Sequence, residues 1–145
     1  NQFIETHPEE MFDARAALEP GIARLAAVRI TVREIAEMRG FVEQGKNARN
    51  SKEFELSDSA FHKAIVDAAK NALLSNLYSN IHSVRLGQHW GKLKERSLTP
   101  EIMASLCEQH ENILNALEER NGRLAAELMR DHIHKAQNNL LNANA

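Results

Sequence analysis

Apolar residues in this chain never run together for more than four positions, Leu25 to Val28, and instead return every three or four residues along segment after segment. That rhythm belongs to the amphipathic helix, which buries one stripe and leaves the rest in water. No stretch reaches the length of a membrane span or a secretory signal, so neither is expected. Seven aromatic residues, six glycines and three prolines in 145 residues fall short of the β-branched runs and dense turns of a sandwich or barrel. The expectation is an all-α fold, residues 1–145 forming one domain around one core.

The punctuation divides the chain into about six helices in an antiparallel bundle. The first starts near Pro8, with residues 1–8 read as a linker or frayed end, and places Arg15, Leu18, Ile22, Leu25 and Arg29 on one stripe. Pro20 and Gly21 predict a kink within it. Thr31 and Glu34 have capping-box spacing and open a second helix, Val32 to Arg49. A third runs from Ser51 to Ala69 and ends near Asn71, a residue type that tolerates the left-handed conformation. The fourth spans Ala72 to Glu95, with Leu74, Leu77, Ile81 and Arg85 inward. Thr99 and Pro100 cap a fifth, to Arg120. Asn121 and Gly122 break it before a sixth, Arg123 to Leu141.

Charge limits the partners. With 18 Lys and Arg against 20 Asp and Glu, the formal charge is -2, which provides no basic face for nucleic acid. The densest basic stretch, Lys92, Lys94 and Arg96, reads as a solvated helix terminus. The single cysteine, Cys107, reads as a buried thiol in a reducing, cytoplasmic setting.

Chemistry gathers at four positions. Asp58 and His62, four residues apart, project from one face of the third helix. His110 precedes Ile113, Leu114 and Leu117 on an apolar stripe, and His132 lies on the stripe of Leu128, Met129 and Ala136. Three imidazoles and a carboxylate cannot all enter one core charged and unpaired. A shared divalent ion would resolve the conflict, and nitrogen and oxygen donors suit Zn, Ni, Mn, Fe or Co with positions left open. Spacing alone leaves a second reading open, in which each histidine is a hydrogen-bonded core residue and Asp58 caps the third helix. Arg15 either pairs with Glu19 or offers its guanidinium to a ligand carboxylate inside the bundle, and Arg85 poses the same alternative. His134 points outward, His7 falls in the loose end, and His82 and His89 are undecided.

The segments FDARAALEPGIARLAA, LSDSAFHKAIVDAAKNALLSNL and EQHENILNALEERNGRLAAELMRDHI together resemble the effector-binding C-terminal (FCD) domain of GntR-type transcriptional regulators, FadR subfamily, over nearly the whole chain. The resemblance implies an all-helical bundle, a divalent metal on Asp58, His62, His110 and His132, and a small carboxylate effector held with help from Arg15 and Arg85. It also implies a homodimer that meets DNA only through an N-terminal winged helix-turn-helix, which these residues do not supply. Two turns depart from the family pattern: Lys70 stands where glycine is common before Asn71, and the turn between the fifth and sixth helices reads Arg120, Asn121, Gly122 where the family often has Gly-Asp. The expected role is ligand sensing and not catalysis, since no H-E-x-x-H, di-iron or Gly-x-Ser-x-Gly pattern occurs. A helical metal-dependent hydrolase and a metal-free interaction domain are the alternatives.

Overall fold

The computed structural model describes residues 7–145. Within them the chain forms seven helices and no strand: α1 Pro8–Arg29, α2 Val32–Lys46, α3 Ser51–Ala68, α4 Ala72–Arg85, α5 Gln88–Ser97, α6 Pro100–Glu118 and α7 Gly122–Ala143. None of these helices is long and apolar enough to cross a membrane. Helix α1 packs chiefly along α7, α2 lies against α3 and α6, and α6 returns beside α7. Met38, Phe54, Phe61, Ile113, Leu114, Leu117 and Ile133 fill the space between them.

Side chains set most helix starts. The Thr31 hydroxyl accepts from the Glu34 amide while the Glu34 carboxylate accepts from the Thr31 amide, the reciprocal box expected from their spacing. Asn50, Asn71, Thr99 and Asn121 each accept from the amide three residues on, opening α3, α4, α6 and α7. Asn71 therefore starts α4 and does not end α3. Of the end expected to fray, residues 1–6 lie outside the described part; His7 Nδ1 accepts from the Glu9 amide and Pro8 opens α1.

Several boundaries and faces differ from expectation. Helix α1 runs through Pro20 as the one element expected, but its inward face is Phe12, Arg15, Glu19, Ile22, Ala23 and Ala26, with Leu18 and Leu25 only half-buried. The face is turned by about one position, with Ala23, Ala26 and Ala27 fully buried, and α1 packs closely on α7. A Cβ at Gly122 would stand 3.0 Å from the Arg24 carbonyl oxygen. Arg29 leaves the stripe altogether and donates to the Ala69 carbonyl at 2.7 Å, closing the end of α3. Helix α2 stops at Lys46, short of Arg49.

The largest difference is the division of the expected fourth helix at Leu86 and Gly87. Gly87 is extended (φ -77, ψ 156) and begins α5 without a side-chain cap. The break re-aims the chain so that Trp90 and Lys94, one turn apart, both point inward. Trp90 packs on Phe12 with ring centroids 5.6 Å apart. Lys94 is only 3% exposed and faces Glu55, so it is not part of a solvated terminus. On α4, Tyr78 takes the inward position expected of Leu77, which is exposed.

Lys70 and Arg120 occupy the left-handed region, with φ of 54 and 61. That conformation costs an L side chain roughly 1–2 kcal/mol. Lys70 reaches Glu34 from the surface, an exposed pair worth about 0–1 kcal/mol. Relief of strain should outweigh loss of the pair, so Lys70→Gly is expected to raise the melting temperature by about 2–4 °C. A lower melting temperature in thermal denaturation would contradict the assignment of strain at this turn.

Candidate metal centre

Each of the four expected residues enters the core because its helix buries the stripe that carries it. Asp58 and His62 face inward one turn apart from the middle of α3, His110 from α6 next to Ile113 and Leu114, and His132 from α7 next to Met129 and Ile133. All four are buried, and one potential ligand atom from each lies within 4.8 Å of the other three. Asp58 Oδ1 is 3.2 Å from His62 Nε2 and 3.1 Å from His110 Nε2, and His62 Nε2 is 3.1 Å from His132 Nε2. Donors about 2.1 Å from a common ion are separated by about 3.0–3.4 Å, so these contacts suit a shared cation. Asp58 is not the cap of α3, because Asn50 performs that task.

The outward-facing ring nitrogens strengthen the point. His62 Nδ1 lies 2.5 Å from Glu19 Oε1, which can only accept, so Nδ1 carries the proton. His132 Nδ1 donates to Gln109 Oε1 at 2.7 Å, and the Gln109 amide nitrogen is itself used on Ser105 Oγ at 3.2 Å. Neutral rings protonated at Nδ1 present lone pairs at Nε2. The Nε2 atoms of His62 and His132 face each other across 3.1 Å, a separation that suits two donors of one cation. Asp58 Oδ1 and His110 Nε2 are also close but outside hydrogen-bonding geometry, and neither has another partner among the described residues. One carboxylate oxygen and three imidazole nitrogens, all turned inward, make a donor set that fits a divalent transition metal.

Electrostatics keep these groups in the states that ligation needs. Burial lowers the affinity of His110 and His132 for protons, His132 strongly, and the neighbouring imidazoles lower that of His132 further. Burial would raise the Asp58 carboxyl, but the Arg85 guanidinium and His110 outweigh it and hold the group well below the usual carboxylate range. Glu19 behaves alike: Arg15 and His62 overcome burial and bring it to about 2. Phe61 stacks on His110 with centroids 4.5 Å apart and fixes the ring plane.

Around the cluster lies a second layer of charge. Arg15 Nε donates to Glu19 Oε2 at 2.7 Å, both residues being almost fully buried, so Arg15 pairs with Glu19 inside the bundle. Arg85 Nη2 faces Asp58 Oδ2 at 3.0 Å, and its Nε and Nη2 donate to Glu55 Oε2 at 3.3 and 3.2 Å. Burial would lower Arg85, but Glu55 and Asp58 hold it well above its ordinary value. Glu19 as the partner of His62, Gln109 as the partner of His132, and Glu55 with Lys94 were not anticipated. Glu55 lies three residues before Asp58 on the same face, a spacing that could have suggested it.

The remaining histidines stay outside the cluster. His82 is half-buried on α4, His89 and His134 are exposed, and His7 caps α1. Cys107 is buried near Gly45 and Ser57 and is not one of the converging groups; burial pushes its thiol up.

The protein is an all-helical bundle with charged side chains and an aspartate–histidine cluster turned into its core. The sequence profile of the FCD domain matches residues 10–135, and the chain belongs to that family. Among curated proteins it is 27% identical over 132 residues to the Uxu operon regulator of Haemophilus influenzae, covering 90% of this chain and 50% of that protein. It is 30% identical over 132 residues to the HTH-type transcriptional regulator LutR of Bacillus subtilis, covering 86% of this chain and 58% of that protein. The Exu regulon transcriptional regulator of Escherichia coli is 26% identical over 142 residues, with 97% and 54% covered. The solved structure of a GntR protein from Streptococcus agalactiae superposes with a TM-score of 0.74 at 24% identity over 90% of this chain and 58% of that one. E. coli McbR/YncC does so at 0.80 and 18% over 94% and 65%, which establishes the shared fold. The chain thus spans about half the length of the curated relatives it matches. By name those relatives are regulators, the Exu and LutR proteins transcriptional ones.

Proposed function

We propose that residues 1–145 are the effector-binding and dimerisation domain of a cytoplasmic transcriptional regulator, in which Asp58, His62, His110 and His132 hold a divalent transition metal. The supporting observation is the convergence of three histidine Nε2 atoms and Asp58 Oδ1, with the outer nitrogens of His62 and His132 already engaged. Once bound, the ion supplies a Lewis-acidic position for one carboxylate oxygen of a small organic acid. Arg15, steadied by Glu19, and Arg85, steadied by Asp58 and Glu55, complement the carboxylate charge. The effector biases how two copies of the domain arrange N-terminal winged helix-turn-helix units on DNA, and it does so only through unequal affinity for the two arrangements.

A thermal-shift screen of small organic acids with and without chelator tests this reading. An acid near one hundred times its Kd adds about 2.7 kcal/mol to the folded state, which is a rise of about 5–10 °C for a domain of this size. The rise is expected in metal-loaded protein, and it is expected to vanish after chelation or in Arg15→Ala. An equal rise with and without metal would contradict the ion's part in effector binding.

A further inference from the structure

The two histidines whose outer nitrogens are engaged are not held alike. His62 Nδ1 donates to Glu19 Oε1 at 2.5 Å, and neither side chain is more than 2% exposed. The other oxygen of Glu19 accepts from Arg15 Nε at 2.7 Å, and Arg15 together with His62 outweighs burial and keeps the carboxyl ionised. The partner of His132 is a neutral amide, Gln109 Oε1, which accepts from Nδ1 at 2.7 Å. Gln109 is only half-buried at the edge of the bundle, and its amide nitrogen donates to the exposed Ser105 Oγ at 3.2 Å.

This difference bears on how strongly each ring holds an ion. A hydrogen bond to a carboxylate is roughly twice as strong as one to a neutral acceptor. Drawing harder on the Nδ1 proton leaves more electron density at Nε2, and the acceptor fixes the plane in which that nitrogen points. Burial strengthens the bond between His62 and Glu19, whereas at the bundle edge water competes for the bond between His132 and Gln109. Charge and exposure therefore act in the same direction, in favour of His62 and against His132.

We propose that Glu19 and Gln109 are positioning residues that grade the metal ligands: the carboxylate makes His62 the anchoring imidazole, and the neutral amide leaves His132 as the weaker, exchangeable one. The proposal rests on the metal-centre reading above and deepens it. Because α3 supplies two members of the cluster, α6 one and α7 one, the weaker of these two attachments is the one that α7 supplies.

Zinc affinity, read by competition with a chromogenic chelator at one fixed pH, tests the grading. Glu19→Gln should weaken zinc binding about 10–100-fold, the usual cost of losing such a partner, and Gln109→Ala less than about fivefold, as befits one neutral hydrogen bond. Glu19→Gln also strips Arg15 of its counter-charge, so the decisive variant is one that keeps Glu19. Gln109→Glu changes a half-buried side chain whose neighbour, the Ser105 hydroxyl, can donate to a carboxylate as readily as it accepts from the amide. It is expected to tighten zinc binding about tenfold, and in combination with Glu19→Gln to recover about tenfold of the loss. A purely structural Glu19 would not be rescued by a charge placed on α6. His132→Ala should retain zinc about tenfold more tightly than His62→Ala does, with circular dichroism verifying that each variant is folded. Gln109→Glu binding no more tightly than the parent, or His132→Ala proving as costly as His62→Ala, overturns the grading and leaves the metal centre standing. If the parent chain takes up no zinc, the metal-centre reading fails and the grading with it.

Discussion

Arg85→Met is expected to destabilise the metal-free domain by about 3–5 kcal/mol, the cost of leaving buried carboxylates without their cation. The guanidinium is the shared partner of Asp58 Oδ2 and Glu55 Oε2, and all three side chains are buried. Methionine fills much of the volume without the charge, so the loss reports the ion pair and not a cavity. A fall of about 6–20 °C in melting temperature corresponds to this energy. Metal should restore part of the loss, because an ion on Asp58 takes over one of the two orphaned carboxylates. A variant that melts within about 2 °C of the parent, a change of no more than about 1 kcal/mol, would mean that the buried network contributes little.

Acid should destabilise the metal-free domain in two successive windows. Burial holds His110 and His132 below the ordinary histidine value in the folded state, so the unfolded chain binds protons more readily. Stability is complete above about pH 6.5 and falls as pH drops below it, by up to about 1.4 kcal/mol per pH unit for each histidine. Asp58 and Glu19 are likewise lowered, Glu19 to about 2. Their contribution is present above about pH 4.5 and is lost as pH falls toward the folded-state values. Denaturant midpoints measured from pH 7.5 to 4 should therefore decline from 6.5 downward and steepen below 4.5. A flat profile between 6.5 and 5 would contradict neutral, buried imidazoles at these positions. Bound metal should leave over the same upper window, since protonated imidazole cannot ligate.

Helical periodicity made the inward direction of Asp58, His62, His110 and His132 legible from residue spacing alone, because each lies on a long helix with a clear apolar stripe. Convergence on one point was not legible, because it depends on how α3, α6 and α7 are set against one another. Lys94 shows the limit sharply. Its inward direction depends on the break at Gly87, and a single glycine within a periodic segment is a weak signal. Read as a continuation of α4, the stretch from Lys92 to Arg96 looked like solvated charge. Glu19 was visible as the partner of Arg15, four residues away, but its second bond to His62 spans 43 residues and no local pattern announces it. Lys70 and Arg120 carried a different message: each lies in one of the two turns that depart from the family pattern, and the backbone is left-handed at both.

Elemental analysis of the purified domain, before and after replacement of two ligands, bears most directly on the metal centre. With the four donors intact, about one equivalent of a divalent transition metal per chain is expected after reconstitution and desalting. His62→Ala combined with His110→Ala should retain none, with circular dichroism verifying that the helices persist. Intact protein that remains metal-free after reconstitution, or a double variant that keeps its full equivalent, would contradict the assignment of these side chains as the ion's ligands.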